Sequence, residues 1–176
     1  QAQLLFGDSS FTAALSHYGG RSAEMAMAWK AYWTGTNLSR LHTVIQVWTD
    51  NHWAEQFILD APNWVNAGPG RVAPKYHMTE LAVHAILDSG STTAVLEDWI
   101  NNMTPTQFYD RLALACRYLD QAVGGGRTLD NQFRNWQYFK KIADRNNLTM
   151  IAYEAGTHMA TPMARQNDPL WTERFN

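Results

Sequence analysis

Glu154 is the side chain around which chemistry is easiest to assemble in this sequence. An uncharged run, residues 148–153, leads into it, and Ala155-Gly156-Thr157-His158 follow. The run reads as a strand buried on both faces, as in a parallel sheet. A carboxylate at the C-terminal end of such a strand is costly unless it meets solvent, a partner or a substrate. Two readings stay open here: Glu154 acts on a ligand, or it pairs with an Arg or Lys at the sheet rim. A second cluster, Trp48-Thr49-Asp50-Asn51-His52-Trp53, closes another apolar run, residues 41–48. Asp50 offers a ligand-facing carboxylate, a cap for the helix that follows, or both. His84 stands alone in the apolar run 78–87, where an imidazole is commonly a hydrogen-bonded core group. Trp48, Trp53 and Tyr153 have flat faces for stacking, and His84 and His158 can hydrogen-bond Glu154 or a hydroxyl.

These groups meet only if several strands end together, and the pattern predicts such an arrangement. Strands are expected near 41–48, 79–87 and 148–153. Between them lie helical stretches. One covers 11–33, capped at Ser9, Ser10 or Thr12, with Gly19-Gly20 as a kink or a second start capped by Ser22. Its stripe of Phe11, Leu15, Tyr18, Met25, Trp29, Tyr32 and Trp33 reads as core. Others cover 92–101, then 104–123 with Pro105 at the first helical position, then 129–145, whose Phe133, Trp136, Phe139 and Ile142 recur at helical spacing. Residues 60–74 and 157–166 read as irregular, and Pro169 starts a last helix. Alternation of this kind argues for a parallel sheet with helices outside it. Three strands leave both sheet edges open and cannot close a barrel, which needs about eight. The chain starts at Gln1 without Met and stops at Asn176, so a piece of something longer is expected.

Composition narrows the function classes. The net charge is −2 and 17% of residues are charged, below the roughly 25% of average soluble domains. No Lys/Arg cluster exists, so neither nucleic acid nor an anionic membrane surface is an expected partner. No apolar run approaches the roughly 20 residues of a membrane span. Eight Trp and seven Tyr suit a core, an interface or platforms for sugar rings. The one cysteine, Cys116, lies in an apolar helical run and reads as an inert thiol. Phosphate-binding glycine loops, nucleophile elbows and H-E-x-x-H are absent. The histidines show no tight metal-ligand spacing, so neither cofactor nor metal is expected. A metal-dependent hydrolase using Asp50, His52 and His158 is the weakest alternative.

Tyr153-Glu154-Ala155-Gly156-Thr157-His158 resembles the Y-E-G-G-Q-H segment of a group of bacterial and phage-associated glycoside-hydrolase-like TIM-barrel proteins, some described as cellulose-binding. Tyr18-Gly19-Gly20-Arg21-Ser22-Ala23-Glu24, followed by Trp29, is similar to that family's Y-x-x-R-S-x-E…W helix after strand four. Residues 41–48 are similar to its fifth strand. Glu80–Leu87 is similar to its sixth, with Ala82-Val83-His84-Ala85-Ile86-Leu87 where the family has A-V-A-P-Y-F. The resemblance implies an α/β chain that is a partial (β/α)8 TIM-barrel-like fragment spanning strands five to seven, with parallel strands and outer helices. It implies Glu154 as nucleophile, with the acid/base a Glu after strand four, in an Asn-Glu segment just ahead of Gln1. The family's Tyr after strand six is replaced by Ile86 or displaced to His84, and its second glycine is Ala155.

Glycosidic cleavage generally pairs carboxyl groups about 5–5.5 Å apart for retention or about 6.5–9.5 Å for inversion. Asp50 is the other carboxylate at a strand end of suitable polarity; Asp88 lies further into its turn. The expected function is therefore a carbohydrate-active barrel domain with Glu154 as nucleophile and Trp48, Asp50, Trp53, His84, Tyr153 and His158 contacting substrate. The alternative is a non-catalytic glycan-binding or structural module of a phage tail or cell-surface assembly. Expected partners are carbohydrate and the remainder of the same barrel or neighbouring chains, in an extracellular or virion-associated setting.

Overall fold

The computed structural model describes residues 1–33, 35–118, 127–157 and 165–175. Its helices and strands follow in the order α1 (Ala2–Phe6), α2 (Phe11–Tyr32), β1 (Val44–Gln46), α3 (Ala54–Leu59), α4 (Pro62–Asn66), β2 (Glu80–Leu87), α5 (Thr93–Asn102), α6 (Pro105–Arg117), α7 (Leu129–Arg145), β3 (Thr149–Thr157) and α8 (Pro169–Phe175). The strands form one parallel sheet in the order β1-β2-β3. Val44 pairs with Glu80, Ile45 with Leu81 and Gln46 with Ala82. The chain divides into two compact units, Gln1–His84 with Trp136–Tyr153, and Ala85–Asn135 with Glu154–Asn176.

In the first unit, one sheet face presents Ile45, Val47, Leu81 and Val83 to Ile58 and Leu59 of α3 and Phe139 and Ile142 of α7. Burying each such side chain contributes about 1.5–3 kcal/mol. The 3.6-residue spacing of Phe139, Ile142 and Ala143 forms the stripe that faces this core. In the second unit, Leu96, Trp99 and Ile100 of α5 meet Phe108 and Ala115 of α6 and Trp171 of α8. Thr92 and Thr104 cap α5 and α6; Thr104 and Gln107 form a reciprocal capping box, with Pro105 in the first turn.

The glycine pair at 19–20 neither kinks nor restarts α2, which runs unbroken from its cap at Ser10. It permits close approach instead. A Cβ on Gly19 would lie 2.1 Å from the Ile58 carbonyl oxygen, and one on Gly20 2.2 Å from the Trp64 ring. Ser22, expected as a cap, sits inside the helix and donates to the Tyr18 carbonyl at 3.0 Å. The buried residues of α2 are the small ones, Ala13, Ser16, Gly19, Gly20, Ala23 and Ala26. Phe11, Tyr18, Met25, Trp29 and Tyr32, expected in the core, are exposed. The two packing partners come so near that only small side chains fit between them.

Two strands differ from expectation in burial. Only β2 is covered on both faces at its centre; along residues 43–50 burial alternates strictly, and residues 152–156 are exposed. The cause is position: β2 is central, while β1 and β3 are the sheet edges. β3 also runs past Tyr153 to Thr157, so Glu154 lies within the strand rather than at its end. Residues 60–74, expected to be irregular, include α4. The expected helix 104–123 is described as far as Arg117.

Candidate functional site

Gln46, Asp50, His84 and Tyr153 come together in the first unit from β1, the loop after it, β2 and β3. Gln46 pairs with Ala82, and alternate residues of a strand share a face, so Gln46 and His84 lie on the sheet face opposite the apolar core. His84 is buried, 5% exposed. Its Nε2 lies 3.3 Å from Asp50 Oδ2 and its Nδ1 3.5 Å from Tyr153 Oη. Tyr153 Oη accepts a hydrogen bond from Gln46 Nε2 at 2.7 Å. The His84 backbone is held too: its N–H donates to Thr49 Oγ1 at 3.0 Å, and its carbonyl accepts from Trp136 Nε1 at 3.3 Å. A carboxylate, an imidazole, a phenol and an amide thus form one hydrogen-bonded line across three strands.

The loop that carries Asp50 also carries Trp48 and Trp53, which are 47% and 46% exposed. Phe11 of α2 lies edge-on to both, at centroid distances of 6.3 and 5.8 Å, and Phe57 supports Trp53 at 5.9 Å. These indoles are half-open surfaces braced from behind. The loop is fastened to α7: Tyr138 Oη lies 3.1 Å from the His52 carbonyl and 3.1 Å from Glu55 Oε1. The His52 ring stacks on the Tyr138 ring at 4.1 Å. Burial, then the hydrogen bond and charge of Glu55, push the Tyr138 phenol above its ordinary pKa.

Asp50 does not cap the following helix; Trp53 occupies that position, without a side-chain hydrogen bond. The structure brings together Asp50, His84 and Tyr153 within the first unit; Trp48 and Trp53 flank Asp50 in the chain and share Phe11 as a neighbour. Glu154 belongs to the second unit and is exposed, with no hydrogen bond or ion pair among the described residues. It follows Tyr153 in the same strand, so the two side chains leave β3 on opposite faces. His158 lies outside the described residues. Among the described residues, no group of three or more His, Cys, Asp and Glu side chains is placed to hold a metal ion.

Gln46, Thr49 and Tyr138 were not expected in the site. Gln46 had a signal, being a polar residue inside a β-branched run. Tyr138 had none, since 83 residues separate it from Glu55. Comparison of the chain with protein-family profiles, curated proteins and solved structures finds no match.

Proposed function

We propose that the first unit binds carbohydrate on the sheet face that carries Gln46, His84 and Tyr153, together with the adjoining loop. The observation that supports this most is the pairing of two braced, half-exposed indoles with a line of polar groups on the same loop and sheet. A pyranose has an apolar C–H face and a rim of hydroxyls. Indole faces suit the former, and amide, carboxylate and phenol groups suit the latter. We read the three strands as part of a (β/α)8 barrel. Parallel strands ordered β1-β2-β3 as in the chain, with helices between them, support that reading.

Calorimetric titration of cellohexaose and chitohexaose tests the proposal. Trp48→Ala and Trp53→Ala are each expected to weaken binding about five- to tenfold. Absence of binding by wild type at millimolar sugar would reject it.

Hydrolysis is the second reading, with Glu154 as nucleophile. Its support is an exposed carboxylate with no partner among the described residues, directly after Tyr153. Glu154→Gln is then expected to abolish release of reducing ends from the same oligosaccharides; retained release in that variant removes the assignment.

A further inference from the structure

We infer that α2 docks antiparallel on α2 of a second copy of this chain, with the two-fold axis at Met25. The observation behind this is a symmetric stripe on the outward face of the helix. Tyr18, Arg21, Met25, Trp29 and Tyr32 are all exposed. Two of them lie seven and four residues before Met25, and two lie four and seven residues after it. At 3.6 residues per turn the five fall within about 80° of the helix circumference. The small buried residues occupy the other side, where Gly19 and Gly20 let α3 and α4 approach. An exposed apolar stripe of this length marks an interaction surface.

A second copy is the occupant because the stripe complements its own reverse. In an antiparallel pair centred on Met25, each residue meets the one equally far on the other side. Tyr18 then meets the partner's Tyr32, and Met25 meets the partner's Met25. The Arg21 guanidinium meets the indole of the partner's Trp29, a cation–π contact made twice by symmetry. A parallel pair would instead set Arg21 against Arg21, like charge on like charge. Within each copy Glu24 pairs with Arg21, so the stripe carries no net charge to hold two copies apart. The same neutrality gives an anionic surface little to grip. Trp29 and Tyr32 already pack edge-on at 6.4 Å, which orders both rings before contact and lowers the entropic cost of docking. One helix pair is a small interface, below about 1,200 Å2 in total, so the dimer is a weak one.

Sedimentation of the full chain from about 10 μM to about 1 mM tests this. Wild type is expected to pass from monomer to dimer within that range. Arg21→Ala is expected to weaken dimerisation about five- to thirtyfold, because two cation–π contacts are lost. A monomer throughout, an open-ended assembly, or a dimer indifferent to Arg21→Ala overturns the proposal. Oxidative cross-linking in a Cys116→Ser background reads the geometry. Met25→Cys is expected to link to its own copy. A mixture of Tyr18→Cys and Tyr32→Cys chains is expected to link to each other in preference to themselves. Met27→Cys, exposed on the same helix but outside the stripe, is the control. Preferred linkage of Tyr18→Cys to itself, or equal rates at Met25→Cys and Met27→Cys, overturns the antiparallel docking. None of the five side chains belongs to the proposed sugar site, so sugar binding and dimerisation fail or stand separately.

Discussion

His77 precedes β2, and its buried Nε2 meets no partner among the described residues. Burial, then the charge of Lys30, pushes its pKa below the ordinary histidine value. A proton there would create a cation with no acceptor. The unfolded chain binds this proton first as pH falls, so the contribution to stability is complete above about pH 6.5 and is lost as pH falls below it. The Tm difference between wild type and His77→Gln should therefore shift against wild type between about pH 8 and about pH 5.5; a pH-independent difference would exclude this account. Cys116 provides a second check at this scale. Burial, then the charge of Asp88, pushes its thiol above its ordinary pKa. Thiolate is the reactive form, so a disulfide reagent should modify Cys116 well below the rate of free cysteine at neutral pH, and a matching rate would contradict it. That Trp48, Asp50, His84 and Tyr153 lie in or just after strands was legible, because apolar runs lead up to each. Their pairings were not, because they depend on which strands lie side by side.

Element boundaries were legible where one face decides them. Helix α7 carries a regular apolar stripe, and α5 and α6 begin at Thr92 and Thr104 as caps predict. Burial along β1 and β3 was not legible. Whether a β-branched run is covered on one face or two is set by its neighbours, and β1 and β3 are edges. The glycine pair of α2 misled for a related reason: a break signal and a close-contact signal use the same residue. The two are separated by substitution. Alanine exceeds glycine in helix propensity by about 1 kcal/mol, so an open site would gain stability from Gly19→Ala. With the Ile58 carbonyl oxygen 2.1 Å from the new Cβ, a loss of about 1–3 kcal/mol is expected instead. A thermal melt reads it as a fall of several degrees in Tm, and a rise would show that α2 and α3 do not approach so closely.

At the scale of the whole molecule, the small residues of α2 send its larger apolar side chains outward. Met25, Trp29 and Trp33 line a groove of about 340 Å3 with Val44 and Met78, beside the open edge of β1. No described helix is long and apolar enough to cross a membrane. Apolar patches of this kind promote association. Trp29→Arg should raise the concentration at which light scattering first reports aggregates, and an unchanged threshold would clear the groove of that role. A different consequence follows from the path of the chain. It enters the first unit, leaves after His84, returns at Trp136 and leaves again after Tyr153. During synthesis, β1 and β2 therefore emerge from the ribosome well before Phe139, Ile142 and Leu148, which cover the same core. Until that later segment arrives, the nascent chain exposes half a sheet, and this interval is when a chaperone would have most to hold.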